Sequence, residues 1–131
     1  MHDAEPKPRK ILVAEDEFLI RLTLMEALSD EGYEVLEAET GDVALPMLQS
    51  DPTICLLLTD IQLPGVLNGR TLAAKAREQR PALPVVFMTG RPGASDDPLS
   101  DLDIFIHKPY TLADVCDAAR RLVGPSLTPP L

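Results

Sequence analysis

No segment of this 131-residue sequence approaches the roughly 20 apolar residues of a membrane-spanning helix, and the longest apolar runs, such as Ile54–Leu58, are of strand length. Nor does a basic segment followed by an apolar one open the chain, so a cytoplasmic location without membrane insertion is expected. Cysteine is scarce. Cys55 and Cys116 lack metal-ligand spacing and read as buried free thiols. Bases are outnumbered, with 12 Lys and Arg against 21 Asp and Glu for a net charge of −9, and so acidic a surface repels phosphate backbones. Direct nucleic-acid binding is therefore not expected. The first strand-like run is followed by no G-x-G-x-x-G, which excludes a dinucleotide site, and there is no internal repeat. A hydrophobic fraction of 45% and a charged fraction of 25% are ordinary globular values and exclude disorder. The length suits one domain that buries about two thirds of its unfolded surface, leaving no room for a second catalytic or DNA-binding domain.

What is present is a regular change of hydrophobic period. Lys10–Ala14 and the Leu56–Thr59 run are short and continuously apolar, as strands covered on both faces should be. Between them, Glu17–Glu31 carries Ile20, Leu24, Ala27 and Leu28 at helical spacing with Gly32 as a stop. Tyr33–Ala38 alternates as a strand, and Thr40 caps a helix reaching about Gln49. Pro46 predicts a kink or an early irregular turn in that helix, since an interior proline costs about 3 kcal/mol. After a loop over Gln62–Asn68 come a helix over Arg70–Arg80 and a strand over Pro84–Met88. Gly90–Leu102, rich in glycine and proline, is poor helix material, so a fourth helix there is expected to be short or irregular. Asp103–His107 reads as the fifth strand. Thr111 and Asp114 open the last helix as a capping box, and Gly124 and Pro125 end it.

This order predicts an α/β fold of three layers, a doubly wound, flavodoxin-like (βα)5 arrangement around a parallel five-stranded sheet in the order 2-1-3-4-5. Ligands of such sheets bind beyond the carboxyl ends of the strands, at the switch point between strands one and three. Polar residues stand at those ends: Glu15 and Asp16 after strand one, Asp60 after strand three, Thr89 after strand four, and Lys108, followed by Pro109, after strand five. Three carboxylates brought together need a shifted pKa or a cation, and a hard divalent ion such as Mg²⁺ suits their oxygens. With a hydroxyl from Thr89 and an ammonium from Lys108, the set matches the charge of a transferring phosphoryl group. Taken singly, each residue also has a plain role: a strand-end turn, a helix cap, a strand-end hydroxyl, a surface lysine. Their meeting at one sheet edge is what argues for chemistry. Pro109 invites a cis peptide beside Lys108, and His107 reads as a strand-end side chain.

The segments ILVAEDE, LLLTDIQLPG, VVFMTG and IFIHKPY, in this order and spacing, resemble a response-regulator receiver domain of two-component signalling, the CheY-like class. The resemblance implies a receiver over residues 9–124 between an N-terminal tail, 1–8, and a C-terminal tail, 125–131. It implies that Asp60 is the phosphoacceptor, served by a sensor histidine kinase or a histidine phosphotransfer protein. Glu15, Asp16, Asp60 and the main-chain carbonyl of Gln62 would hold Mg²⁺. Thr89 would be the switch hydroxyl and Lys108 the phosphate-pairing lysine. Phe105 occupies the switch aromatic's position and is equally readable as a core aromatic. Glu15 stands where aspartate is commoner, Gly90 stands where alanine is frequent, and the Asp60–Gly69 loop is one residue longer than usual. A non-phosphorylated pseudo-receiver scaffold is one rival. An aspartyl phosphohydrolase is another, but it needs an acid two residues after the nucleophile, where Gln62 stands, so no turnover enzyme is expected. No effector is expected in this sequence, so output would pass to a downstream target protein.

Overall fold

The computed structural model describes residues 9–90 and 101–125. Its elements run β1 (Lys10–Ala14), α1 (Phe18–Asp30), β2 (Glu34–Ala38), α2 (Gly41–Ser50), β3 (Ile54–Asp60), α3 (Gly69–Gln79), β4 (Val85–Thr89), β5 (Asp103–His107) and α4 (Leu112–Val123). All strand pairs are parallel, in the order β2-β1-β3-β4-β5, as expected. The expected helix within Gly90–Leu102 and the two expected tails fall almost wholly outside the described residues, among which there are four helices.

Period-two alternation divides the core between the two faces of the sheet. Ile11, Val13, Leu56, Leu58, Val86 and Met88 turn to one side, against Leu24 and Leu28 of α1 and Val115 and Ala119 of α4. Leu12, Ala14, Leu57, Val85 and Phe87 turn to the other, against Ala44 and Leu48 of α2 and Leu72 and Ala76 of α3. Neither set of side chains reaches solvent, which is why these strands read as continuous apolar runs rather than alternating ones. A register shift between Lys10 and Ile11 pairs them with Ile54 and Leu56 and leaves Cys55 as the extra residue. Cys55 is accordingly half-buried, not buried as expected, and its thiol donates to the Lys10 carbonyl at 3.2 Å. Cys116 is buried and free.

Two polar ties hold the edges. Asp103, only 5% exposed, meets the Arg77 guanidinium at 2.5 Å, which also donates to the Leu83 carbonyl and so fixes the start of β5 to α3. The Tyr33 hydroxyl donates to the Gly124 carbonyl at 2.8 Å, tying the end of α4 to the start of β2. The capping box of Thr111 and Asp114 forms as expected.

The expected irregular turn at Pro46 does not occur, since α2 continues through it to Ser50. Pro46 and Asp42 lie on the exposed face of α2, so the Asp42 carbonyl, which a proline cannot serve, is left to water instead of being stranded in the core. Pro46→Ala restores that donor, and a net gain of about 1–2 kcal/mol in urea unfolding is expected; no gain would mean that α2 already absorbs the proline without cost.

Candidate functional site

The carboxyl ends of the inner strands gather the polar residues at one edge of the sheet. Glu15 and Asp16 follow β1 directly, Asp60 and Thr89 are the last residues of β3 and β4, and Lys108 follows β5. Backbone pairing runs one step past the strands: Ile61 N–H donates to the Met88 carbonyl at 2.9 Å and Lys108 N–H to the Thr89 carbonyl at 2.8 Å. The ladder itself therefore sets where these side chains start. Lys108–Pro109 is a cis peptide.

Asp60 is 5% exposed, and both of its oxygens are bonded. Oδ1 accepts from the Gln62 N–H at 2.9 Å and Oδ2 from the Lys108 ammonium at 2.6 Å. Burial works against the Lys108 charge, but the bonded Asp60 carboxylate, with Glu15 behind it, outweighs burial and holds the lysine above its ordinary pKa. Thr89 is 2% exposed. On the outer side, the first turn of α3 presses on the end of β3. Gly69 N–H donates to the Ile61 carbonyl at 2.8 Å, and a Cβ at Gly69 would lie 2.4 Å from the Asp60 carbonyl oxygen, so only glycine fits. The long loop before it is anchored by buried Leu63 and Leu67, the latter's N–H donating to Asp42 Oδ1 at 3.2 Å, while Asn68 caps α3 through the Thr71 N–H at 2.9 Å.

Glu15 is 1% exposed. Its Oε2 accepts from the Glu17 N–H at 2.9 Å, and its buried Oε1 has no hydrogen-bond partner among the described residues. Burial pushes its pKa up to about 7; the Glu17 N–H opposes this, and the Asp60 charge and hydrogen bonding with the Asp16 carboxyl add to it. A half-buried Tyr110 behind Lys108 is raised too, by burial and then by Glu15. Asp16 is exposed. The acids thus gather as expected but not into a ready cage: among the described residues, no three Asp, Glu, His or Cys side chains are arranged to hold a metal ion. The reason is that Asp60 is turned to Lys108 and Gln62, and Glu15 to Glu17.

The family whose description is "response regulator receiver domain" matches residues 11–120. This chain belongs to the response regulator receiver family. It is 35% identical over 118 residues to the response regulator receiver protein CpdR of Brucella abortus, covering 88% of this chain and 97% of that protein. It is 37% identical over 117 residues to the aerobic respiration control protein ArcA of Escherichia coli, covering 87% of this chain but 48% of ArcA. The chain therefore spans about half the length of some relatives and nearly all of others. A response regulator receiver protein from Sinorhizobium medicae has the same fold, with a TM-score of 0.79 at 31% identity over 90% of this chain and 94% of that one.

Receiver domains bind Mg²⁺ at this acidic pocket, and the donors present here fit a hard cation. The orphaned Glu15 Oε1 is a buried oxygen awaiting a partner, and each bonded Asp60 oxygen retains a second lone pair. Among the described residues, no helix is long and apolar enough to cross a membrane.

Arg21 is part of this receiver site that the sequence reading did not single out. It is only 4% exposed, donates to the Glu15 carbonyl at 2.9 Å and to Glu37 Oε1 at 2.7 Å, and so ties the acidic turn to α1 and β2. The signal was available: Arg21 falls in register with Leu24 and Leu28 on the buried stripe of α1.

Because the fold binds the Glu15 proton more tightly than the unfolded chain does, this group's contribution to stability is full below about pH 4.5 and is lost as pH rises to about 7. With divalent ions chelated, Glu15→Gln should gain on the wild type in urea unfolding by on the order of 2 kcal/mol more at pH 8 than at pH 5. An equal difference at both pH values would show that burial does not raise Glu15.

Proposed function

We propose that Asp60 takes a phosphoryl group from a phosphohistidine of a sensor histidine kinase or a histidine phosphotransfer protein, and that the aspartyl phosphate changes the surface offered to a downstream target. The observation that carries this reading is the environment of Asp60: a buried carboxylate at the end of the central strand, held at 2.6 Å by the Lys108 ammonium and flanked by a buried acid with an unpaired oxygen.

In the transfer, an Asp60 oxygen forms the new P–O bond as the P–N bond breaks, and the electron pair of the broken bond leaves with the donor imidazole. Lys108, already charged and within reach, follows the developing charge onto the phosphoryl oxygens, while the Gln62 N–H keeps the other carboxylate oxygen oriented. Glu15, Asp16, Asp60 and the Gln62 carbonyl would hold Mg²⁺, which when bound offsets the negative charge brought together by acids and phosphate. The Thr89 hydroxyl then accepts the role of switch, drawn to the phosphoryl group by a charge-assisted hydrogen bond, and Phe105 follows it. The reading makes this a cytoplasmic reaction.

Gln62 favours a stoichiometric acceptor over an aspartyl phosphohydrolase, because its amide cannot serve as the general acid or base that turnover requires. The presence of Asp60, Lys108 and Thr89 together favours phosphorylation over a pseudo-receiver scaffold.

Incubated with Mg²⁺ and acetyl phosphate or a phosphorylated kinase, the chain is expected to take up one acid-stable, base-labile phosphate, and Asp60→Asn to take up none on a phosphate-affinity gel. Equal incorporation in the variant would move the site elsewhere. Asp16→Asn is expected to weaken Mg²⁺ binding at least about tenfold by titration calorimetry, as loss of a hard carboxylate ligand should; undiminished affinity would remove Asp16 from the metal site.

A further inference from the structure

Phe105 and Phe87 are direct partners in the β4–β5 ladder, and their rings stack with centroids 4.8 Å apart and planes 19° from parallel. The Arg70 guanidinium lies over both, 5.0 Å from the Phe105 centroid and 5.9 Å from that of Phe87. Phe87 is 4% exposed and built into the core, whereas Phe105 is only partly buried. Phe105 is thus the ring able to leave the stack, and Arg70 lies across it. A phenylalanine has no hydroxyl with which to hold either rotamer, so its position must be set by what packs on its faces.

We infer that Arg70 is a positioning residue that keeps Phe105 stacked on Phe87 in the unphosphorylated chain and thereby sets how readily the site switches; this rests on the phosphoacceptor reading of Asp60. A cation over an aromatic face is attracted by the ring quadrupole, most of all where water is partly excluded. The attachment of Arg70 links it to the acceptor. It follows Gly69, whose backbone presses on the Asp60 carbonyl and bonds to that of Ile61 at 2.8 Å, so movement at the end of β3 reaches Arg70 through rigid contacts. Thr89 stands two residues beyond Phe87 on the same face of β4, so any space left by a displaced Thr89 lies along the row that Phe105 already occupies. To enter it, the ring must slide from beneath the guanidinium.

The test is NMR of the full chain with Mg²⁺, using beryllofluoride as the phosphoryl probe. In the probe-free protein, the Arg70 side-chain protons are expected to resonate upfield under the ring current of Phe105, and to lose that shift as beryllofluoride saturates. Arg70→Gln, which keeps the stem and loses the cation, is expected to bind beryllofluoride about 3- to 10-fold more tightly, since the resting state alone is weakened. Arg70→Lys, which keeps the cation, should stay within about twofold of the wild type. In a Phe105→Leu background, Arg70→Gln should change nothing, because the ring it acts through is gone. A ring-current shift that persists at saturation overturns the inference without needing any variant. So does an Arg70→Gln that is unchanged or weaker in affinity, or whose effect survives in Phe105→Leu. If beryllofluoride leaves the Asp60 amide of the wild type unmoved, the phosphoacceptor reading falls and takes this one with it; if that amide moves and Arg70 does not, only the present inference falls.

Discussion

The constraint on which the site depends is the burial of two acids at the carboxyl end of a parallel sheet. Asp60 ends the central strand at 5% exposure and Glu15 follows the neighbouring strand at 1%. In so dry a place the Asp60 charge adds to the cost of ionising Glu15, and the fold answers the two acids differently. Asp60 receives an ammonium at 2.6 Å and a backbone N–H at 2.9 Å. Glu15 receives one backbone N–H, keeps an unpaired oxygen, and has its pKa pushed up to about 7. A charge balance left incomplete in this way is receptive to a cation, which an ordinary row of solvated strand-end acids is not.

Everything around the pair serves to hold it still. Arg21 reaches from α1 to the Glu15 carbonyl and to Glu37, fixing the acidic turn from behind. Gly69 lets α3 press directly on Asp60, and Gly41 lets α2 approach the loop so closely that a Cβ there would lie 2.7 Å from the Leu67 carbonyl oxygen. That loop turns Val66 outward at 86% exposure while Leu63 and Leu67 stay buried. Phe105, on β5, is only partly buried beside this closely packed frame.

Much of this was legible in the linear sequence, and the misses have physical reasons. Two continuous apolar runs announced strands covered on both faces, and five strands in alternation with helices, the fourth helix short or irregular, left little choice of topology. The irregular turn expected at Pro46 is absent because the one-dimensional pattern gives the proline's cost without showing that its face of α2 meets water. Cys55 was misjudged because a register shift in the β1–β3 ladder is decided by pairing, not by local period. Arg21 and Arg70 went unremarked because charged residues in amphipathic helices are ordinarily solvated; here one lies on the buried stripe and the other over two rings.

By itself the sequence determined the α/β class, the strand order, and which residues stand at the strand ends, because hydrophobic period and end-of-run position are local properties of the chain. Only the tertiary structure decided which of the acids are buried and which is exposed, that Lys108 is turned onto Asp60 across 48 residues of chain, and that Phe105 stacks on Phe87 with a guanidinium over both rings. Those outcomes depend on through-space distances and on exclusion of water, which arise only when segments far apart in sequence are packed together.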